Sequence, residues 1–138
     1  MPYDPNNVFA KILRHELPSV VVFEDALTLA FMDIMPAVEG HTLVIPKESA
    51  EDIFDLSSEG LAATIRTTQK VAGAGKSVLH CPWLMIVQLN GAAAGQSIPH
   101  LHFHILPRVA GPDLNVHGRN RVELTTLELV AAKIRAKL

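Results

Sequence analysis

Residues 100–106 read His-Leu-His-Phe-His-Ile-Leu, an alternation of imidazole and apolar side chains that is closed by a second apolar residue. Successive side chains of a β-strand point to opposite faces, so the apolar residues at 101, 103 and 105 are predicted to face the core. The imidazoles of His100, His102 and His104 then share the other face. Apolar or ordinary polar residues would serve for packing, so this row of histidines indicates a functional strand.

Three chemical roles are compatible with the row of histidines. The imidazoles can be structural groups that are satisfied by backbone and water, or they can bind a metal ion, with His41 as a distant further ligand. The third role is phosphoryl chemistry, with one imidazole as nucleophile and its neighbours as partners of phosphate oxygens. The preceding loop favours this third role, because Gly91 and Gly95 permit close approach of backbone to a ligand and Gln96 and Ser97 add donors.

The patterns outside this strand predict an α+β fold with a mostly antiparallel sheet and flanking helices. Strands are predicted at residues 20–24, 28–32, 42–45, 83–89 and 100–106, with Pro107 ending the last of them. A first helix, capped by Asn7, is predicted over about 8–14, and a long helix begins near residues 57–59 and weakens at Gly73 and Gly75. A C-terminal helix is predicted at about 125–138, with a capping box formed by Thr125 and Glu128.

The composition indicates one globular domain over residues 1–138 and excludes several functional classes. Of the 138 residues, 49% are hydrophobic and 19% charged, and the net charge of -2 lacks the basic excess expected of a nucleic-acid-binding protein. No apolar run approaches the ~18 residues of a membrane span. The single cysteine, Cys81, fits a reducing compartment, and the N-terminus lacks the pattern of a signal peptide. We therefore expect a cytoplasmic protein.

The chain resembles the histidine triad (HIT) family, whose signature is His-φ-His-φ-His-φ-φ with φ apolar, and residues 100–106 match it at every position. The similarity extends upstream through residues 94–97, 40–46 and 29–34 to Phe9-x-x-Ile12. It implies a homodimer whose sheet continues across the interface. It also implies a nucleotidyl hydrolase or transferase that acts on the α-phosphate of purine nucleotides and needs no cofactor.

The resemblance also implies roles for individual residues. His102 would be the nucleophile that forms a nucleotidyl-histidine intermediate, and His41 would support His102 from behind. His104 would hold phosphate oxygens, and His100 would help to set the strand and the protonation state of its neighbours. The phosphate- and ribose-binding set is Asp33, Asn90, Gly95, Gln96 and Ser97, in which Asp33 accepts from ribose hydroxyls. Asn90 stands one residue beyond Leu89, which occupies the position where many members carry Asn or Gln.

The base pocket implied by the resemblance consists of apolar residues near the N-terminus and on the second strand, namely Val8, Phe9, Ile12, Phe31 and Ile34. The Cys pair of zinc-containing members is absent from residues 6–10, so we expect no structural zinc. His15, His80 and His117 match no motif and are interpreted as surface or loop residues.

The expected activity is hydrolysis of an adenosine 5'-phosphoramidate with release of AMP. One alternative is a dinucleoside polyphosphate hydrolase, for which Arg108 could contact additional phosphates. Another is a nucleotide-binding regulatory module in which catalysis is incidental.

Overall fold

The computed structural model describes residues 2–108 and 115–138, which form three α-helices and a five-stranded sheet. The helices are α1 (Val8–Leu13), α2 (Ser58–Val78) and α3 (Leu124–Arg135). The strands are β1 (Val21–Glu24), β2 (Thr28–Met32), β3 (Thr42–Pro46), β4 (Trp83–Gln88) and β5 (Phe103–Arg108). Their order is β1-β2-β3-β5-β4, and all neighbours are antiparallel. The predicted α+β class with an antiparallel sheet and flanking helices is therefore confirmed.

The two faces of the sheet carry different cores. Phe103 and Ile105 of β5 face the larger core, together with residues of α2 and α3 such as Val71 and Ile134. The other face carries a smaller cluster, in which Phe9 and Ile12 of α1 pack against alternate residues of β2 and β3: Leu29, Phe31, Leu43 and Ile45. His104 lies between Phe103 and Ile105 in β5 and therefore points to this second face.

The boundaries of β5 and α2 show where the predictions for proline and glycine were wrong or incomplete. Strand β5 starts at Phe103, three residues later than expected, and continues through Pro107 to Arg108. Strand β3 pairs only with residues 103–105, so Pro107 lies beyond the end of that ladder and its missing N–H group costs no hydrogen bond there. Helix α2 also continues past Gly73 and Gly75 as far as Val78.

The predicted capping box at Thr125 is wrong. Helix α3 begins at Leu124 after Glu123, which makes no side-chain capping bond, so Thr125 lies inside the helix. Glu128 pairs instead with Arg135 at the end of the same helix. The amphipathic spacing located the helix, but a Thr-x-x-Glu sequence does not by itself specify where the first turn starts.

The two edge strands of the sheet, β1 and β4, differ in their hydrogen bonding and exposure. At the β1 edge, Arg135 donates a hydrogen bond from Nη1 to the carbonyl oxygen of Val21 at 2.7 Å, and the β1–β2 register shifts between Val21 and Phe23. At the other edge, β4 pairs with β5 alone among the described strands. Trp83 and Ile86 of β4 are 65% and 45% exposed.

No helix in the described part of the chain is long and apolar enough to cross a membrane.

Helix α1 is short, and the side chain of Asn7 fixes its start. Asn7 Oδ1 accepts from Ala10 N at 2.9 Å, and Asn7 Nδ2 donates to the Asp4 carbonyl at 2.7 Å. The Asn7 side chain is buried, so both hydrogen bonds are shielded from water. The predicted cap is confirmed, and it orients the helix that carries Phe9 and Ile12 into the smaller core.

We expect Asn7→Ala to lower the free energy of unfolding by about 1–2 kcal/mol, because the cap bond is lost and the Asp4 carbonyl loses the side-chain donor of Asn7. Urea denaturation followed by circular dichroism measures the change. Asn6→Ala is the matched control, since the Asn6 side chain is exposed and does not cap the helix. Equal stability of the two variants would contradict the role assigned to Asn7.

Candidate active site

Three buried imidazoles meet on the second face of the sheet. The ring centroids of His102 and His104 lie 4.9 Å apart, and those of His104 and His41 lie 5.2 Å apart. His41 immediately precedes β3, whose residue Leu43 pairs with His104. Phe9 of α1 stands edge-on to His102 at 4.9 Å, so the apolar helix packs directly against the imidazole row.

The backbone fixes the tautomer of His102. Its Nδ1 lies 2.7 Å from the carbonyl oxygen of His100, which can only accept, so Nδ1 carries the proton. Neutral His102 therefore presents an unprotonated Nε2. The ring of His100 is itself held by Tyr3, whose hydroxyl is 2.5 Å from His100 Nδ1, and by the Pro46 carbonyl at 2.8 Å from Nε2.

A second chain of hydrogen bonds gives His104 the opposite arrangement. The Ala37 N–H group donates to His41 Nδ1 at 3.0 Å, so the proton of neutral His41 is on Nε2. His41 Nε2 lies 2.9 Å from His104 Nδ1 and donates to it. The proton of neutral His104 is therefore on Nε2, a buried atom without a hydrogen-bond partner among the described residues.

These contacts correct the role predicted for His41. It was expected to support His102, but its hydrogen bond goes to His104, while the His100 carbonyl supports His102. His102 therefore presents a lone pair on Nε2 and His104 presents an N–H donor on Nε2, and the centroids of the two rings are 4.9 Å apart. This combination suits attack by His102 on an electrophile whose oxygens receive a hydrogen bond from His104.

Burial keeps these imidazoles neutral. It lowers the pKa of His102 and of His41 to about 4 and the pKa of His104 to about 3, against an ordinary value near 6.5. It also lowers the pKa of His100. Proximity adds to this effect, since charge on one ring disfavours charge on the next. At neutral pH His102 is therefore an uncharged imidazole with a lone pair on Nε2.

Asp33, His41 and His104 also bring donor atoms within 4.8 Å of one another, a spacing that could hold a metal ion. Their hydrogen bonds argue against such a site. To bind a metal through Nε2, neutral His41 would have to move its proton to Nδ1, where it would face the Ala37 N–H group. The local structure thus favours a proton-donating chain over a cation site.

The loop before the histidines is held together by two side-chain amides that were predicted to contact ligand. Gln96 Oε1 accepts from Gly91 N at 2.7 Å, and its Nε2 donates to the carbonyls of Glu51 and Ile98 at 2.7 and 2.9 Å. All donors of this buried amide are used, so its predicted role as a phosphate donor is replaced by a structural one.

Asn90 is likewise directed away from the predicted contact. Its Oδ1 accepts from Ile53 N at 2.9 Å, and its amide pairs with that of Gln88. Asn90 therefore anchors the segment before α2, and the contact with phosphate or ribose predicted for it is not supported. Within the loop, two members of the predicted set remain open to a ligand: Ser97, whose exposed hydroxyl has no partner among the described residues, and Gly95, which adopts φ +100°.

A cavity of about 360 Å³ adjoins the histidines. Its volume lies in the usual range of small-molecule sites. Its lining includes every residue of the predicted base pocket, namely Val8, Phe9, Ile12, Phe31 and Ile34. Asp33 also lines it, with Oδ1 bound to Met35 N at 2.8 Å and Oδ2 lying 3.5 Å from His41 Nε2. Asp33 thus links the cavity to the imidazoles, and burial raises the pKa of its carboxyl.

Sequence reasoning missed two residues of this region. His117 is exposed and lies in a loop as predicted, yet its ring centroid is 5.8 Å from that of His104. Arg121 lines the cavity. Both belong to the segment before α3, for which no motif or periodicity indicated a position.

Comparison with known proteins agrees with this geometry. The model of the family described as "HIT domain" matches residues 14–111. The adenosine 5'-monophosphoramidase hnt1 of Schizosaccharomyces pombe is 41% identical over 102 residues, which cover 73% of each chain. Protein hit of Bacillus subtilis is 38% identical over 108 residues, or 78% of this chain and 74% of that one. The crystal structure of a Hit-like protein from Bartonella henselae, involved in cell-cycle regulation and solved with an unknown ligand, has a TM-score of 0.94 at 44% identity and covers both chains fully.

We expect the protein to lose stability as the pH falls from about 6.5 to 4.5. The unfolded chain takes up protons on its histidines near pH 6.5, whereas His41, His102 and His104 resist protonation in the fold until about pH 4 or below. Each such histidine then reduces the free energy of unfolding by up to about 1.4 kcal/mol per pH unit. Thermal denaturation at a series of pH values measures the effect.

The exposed His80 provides the control for this titration. His80→Asn removes a histidine outside the site and should leave the pH dependence unchanged. A melting temperature that stays level between pH 6.5 and 4.5 would show that the buried imidazoles titrate normally, contrary to the expectation.

Proposed function

This chain belongs to the HIT domain family, and on that premise we propose that it hydrolyses adenosine 5'-phosphoramidate to AMP through a covalent intermediate on His102. The observation that carries the proposal is the complementary protonation of two adjacent imidazoles, a lone pair on His102 Nε2 and an N–H group on His104 Nε2. The activity named for the relative from fission yeast supports the choice of substrate.

In the first step, the lone pair of His102 Nε2 attacks the α-phosphorus and the bond from phosphorus to the amide nitrogen breaks. The leaving nitrogen takes up one proton from solvent and departs as ammonia. The His102 ring becomes cationic, and its Nδ1–H bond to the His100 carbonyl strengthens as that charge develops. His104 Nε2–H donates to a phosphoryl oxygen, where negative charge accumulates.

In the second step, water attacks phosphorus and the bond to His102 Nε2 breaks. AMP is released, one proton returns to solvent, and the lone pair of His102 is restored. Burial assists this turnover in two ways: it keeps the free imidazole neutral, and it makes the cationic phosphoimidazole a poor resting state.

The remaining groups suit the nucleoside. The apolar cavity next to Phe9 and Phe31 would take the purine, and the Asp33 carboxylate would accept from the ribose hydroxyls. The free Ser97 hydroxyl is a further donor to phosphate. Gln96 and Asn90 would act indirectly, by holding the loop against the segment before α2.

Among the contacts of the described residues, none specifically favours the dinucleoside polyphosphate alternative. Arg108, the residue offered for extra phosphates, is four positions beyond His104 on β5, which separates their Cα atoms by about 13 Å. The alternative of a binding module makes its own prediction, namely AMP affinity with negligible turnover.

We also propose that the active form is a homodimer joined through β4. This strand offers an unpaired edge among the described residues, and Ile86 and Ile65 beside it are 45% and 46% exposed. A hollow of about 530 Å³ lies between β4 and α2 and is lined by both isoleucines. A second copy related by a two-fold axis would extend the sheet and cover this apolar surface.

The covalent step is tested by intact-protein mass spectrometry after acid quench during turnover of the phosphoramidate. The wild type should carry an AMP adduct, whereas His102→Ala and His102→Asn should carry none and should lose at least about 1000-fold in kcat, because no other imidazole of the site offers an unprotonated Nε2. His80→Asn is the control and should behave as wild type.

AMP release that persists in both His102 variants would overturn the assignment of the nucleophile. AMP binding by a wild type without adduct or turnover would favour the binding module, and turnover confined to diadenosine polyphosphates would favour the other alternative.

The dimer is tested by sedimentation at micromolar concentration. The wild type should sediment at about twice the chain mass of 15.0 kDa, and Ile86→Lys should shift it to the monomer because it places a charge in the covered surface. Leu129→Lys is the matched control, since Leu129 is 70% exposed on α3, away from β4. A wild-type protein of single-chain mass would refute this interface.

A further inference from the structure

The segment from Asn115 to Glu123, here called the strap, lies across the residues that follow Asp33. Gly118 N donates to the Met35 carbonyl at 3.1 Å, and Val122 N donates to the Ile34 carbonyl at 2.8 Å. A Cβ atom on residue 118 would collide with the carbonyl oxygens of Met35 and Pro36, so glycine permits this close approach. The strap is therefore fixed at the rim of the cavity.

The strap places His117 beside His104 and the loop that contains Gly95. Its Nε2 donates to the Gly95 carbonyl at 2.8 Å, and its ring stands at 83° to that of His104. Unlike the three central imidazoles, it is exposed. Its ring is therefore in contact with solvent, whereas the rings of His41, His102 and His104 are buried.

The titratable groups of the site that lie near His117 are neutral or acidic. The titratable groups that interact electrostatically with His117 are the carboxyl of Asp33 and the neutral imidazoles of His41, His102 and His104. On the strap itself, Arg121 lines the base cavity rather than the imidazole row, and Arg119 is exposed. A phosphate bound at His102 would thus find no formal positive charge among these central groups.

We propose that His117 is a phosphate-binding residue, whose protonated ring donates from Nδ1 to an oxygen of a nucleoside 5'-phosphate. This inference rests on the proposed function. Because Nε2–H is used by Gly95, neutral His117 presents a lone pair on Nδ1, which repels a phosphate oxygen. Protonation converts Nδ1 into a charged donor, so nucleotide binding takes up a proton at His117.

The test compares AMP affinity with pH in the wild type and in two variants. His117→Gln can keep a neutral donor to the Gly95 carbonyl but cannot be charged, and His117→Ala loses both properties. Titration calorimetry from pH 8 to pH 6, in buffers of different ionisation enthalpy, gives the Kd and the number of protons taken up. Titration of the AMP phosphate itself is common to all the proteins and cancels in the comparison.

We expect wild type and His117→Gln to bind AMP within about twofold of each other at pH 8. Between pH 8 and pH 6 the wild type should gain about fivefold or more over His117→Gln, the increment of one charge-assisted hydrogen bond. The wild type should also take up more protons than the variant. His80→Asn, which removes an exposed histidine elsewhere, should follow the wild type.

Identical pH dependence of wild type and His117→Gln, with both binding AMP, would overturn the role of His117 and leave the proposed function intact. A loss in His117→Gln that is equal at every pH would also overturn it, since the residue would then only fasten the strap. A wild type without affinity for AMP would overturn the proposed function and this inference together.

Discussion

The hydrogen bond from Ala37 N–H to His41 Nδ1 sets the protonation pattern on which the rest of the site depends. A backbone amide cannot accept, so it forces the proton of neutral His41 to Nε2 and, through that proton, the proton of His104 to its own Nε2. The His100 carbonyl imposes the reverse order on His102. Two chemically identical side chains, two residues apart, thereby adopt different tautomers.

This protonation pattern requires that water be excluded from the imidazoles. The side chains that exclude it also stabilise the fold. Phe9 and Phe31 belong to the smaller core, yet both line the cavity next to the histidines. The same packing that anchors α1 removes water from His102 and depresses its pKa. Core and site share these side chains, so a substitution in this cluster should affect stability and chemistry together.

Much of the fold was predictable because periodicity reports which face of an element is buried. The alternation at residues 100–106 correctly assigned Phe103 and Ile105 to the core, and Asn7 correctly marked the start of α1. The signature of the family supplied what spacing cannot, namely that residues as distant as Asp33 and His104 meet at one site.

The predictions that were wrong concern side chains whose contacts are made with segments distant in the sequence. Gln96 and Asn90 have the right chemistry to bind phosphate, but their amides find backbone partners near Glu51 and Ile53, which no local pattern indicates. The partner of His41 is decided by the geometry of two strands, and the position of His117 by a glycine that fits under two carbonyls. These are contacts between segments distant in sequence, and each has several equally plausible alternatives before the chain is folded.

The contact of Arg135 at the β1 edge of the sheet has a consequence for how many copies of the chain can associate through their sheets. Arg135 donates a hydrogen bond to the Val21 carbonyl and the register of β1 is interrupted, so addition of a further strand there is disfavoured. Strand β4, in contrast, has a free edge among the described strands. A sheet that can grow in only one direction accepts one neighbour through a two-fold contact and then has no edge left to offer. If the proposed two-fold contact through β4 forms, the hydrogen bond of Arg135 leaves the outer edges of the dimer less open to a further strand.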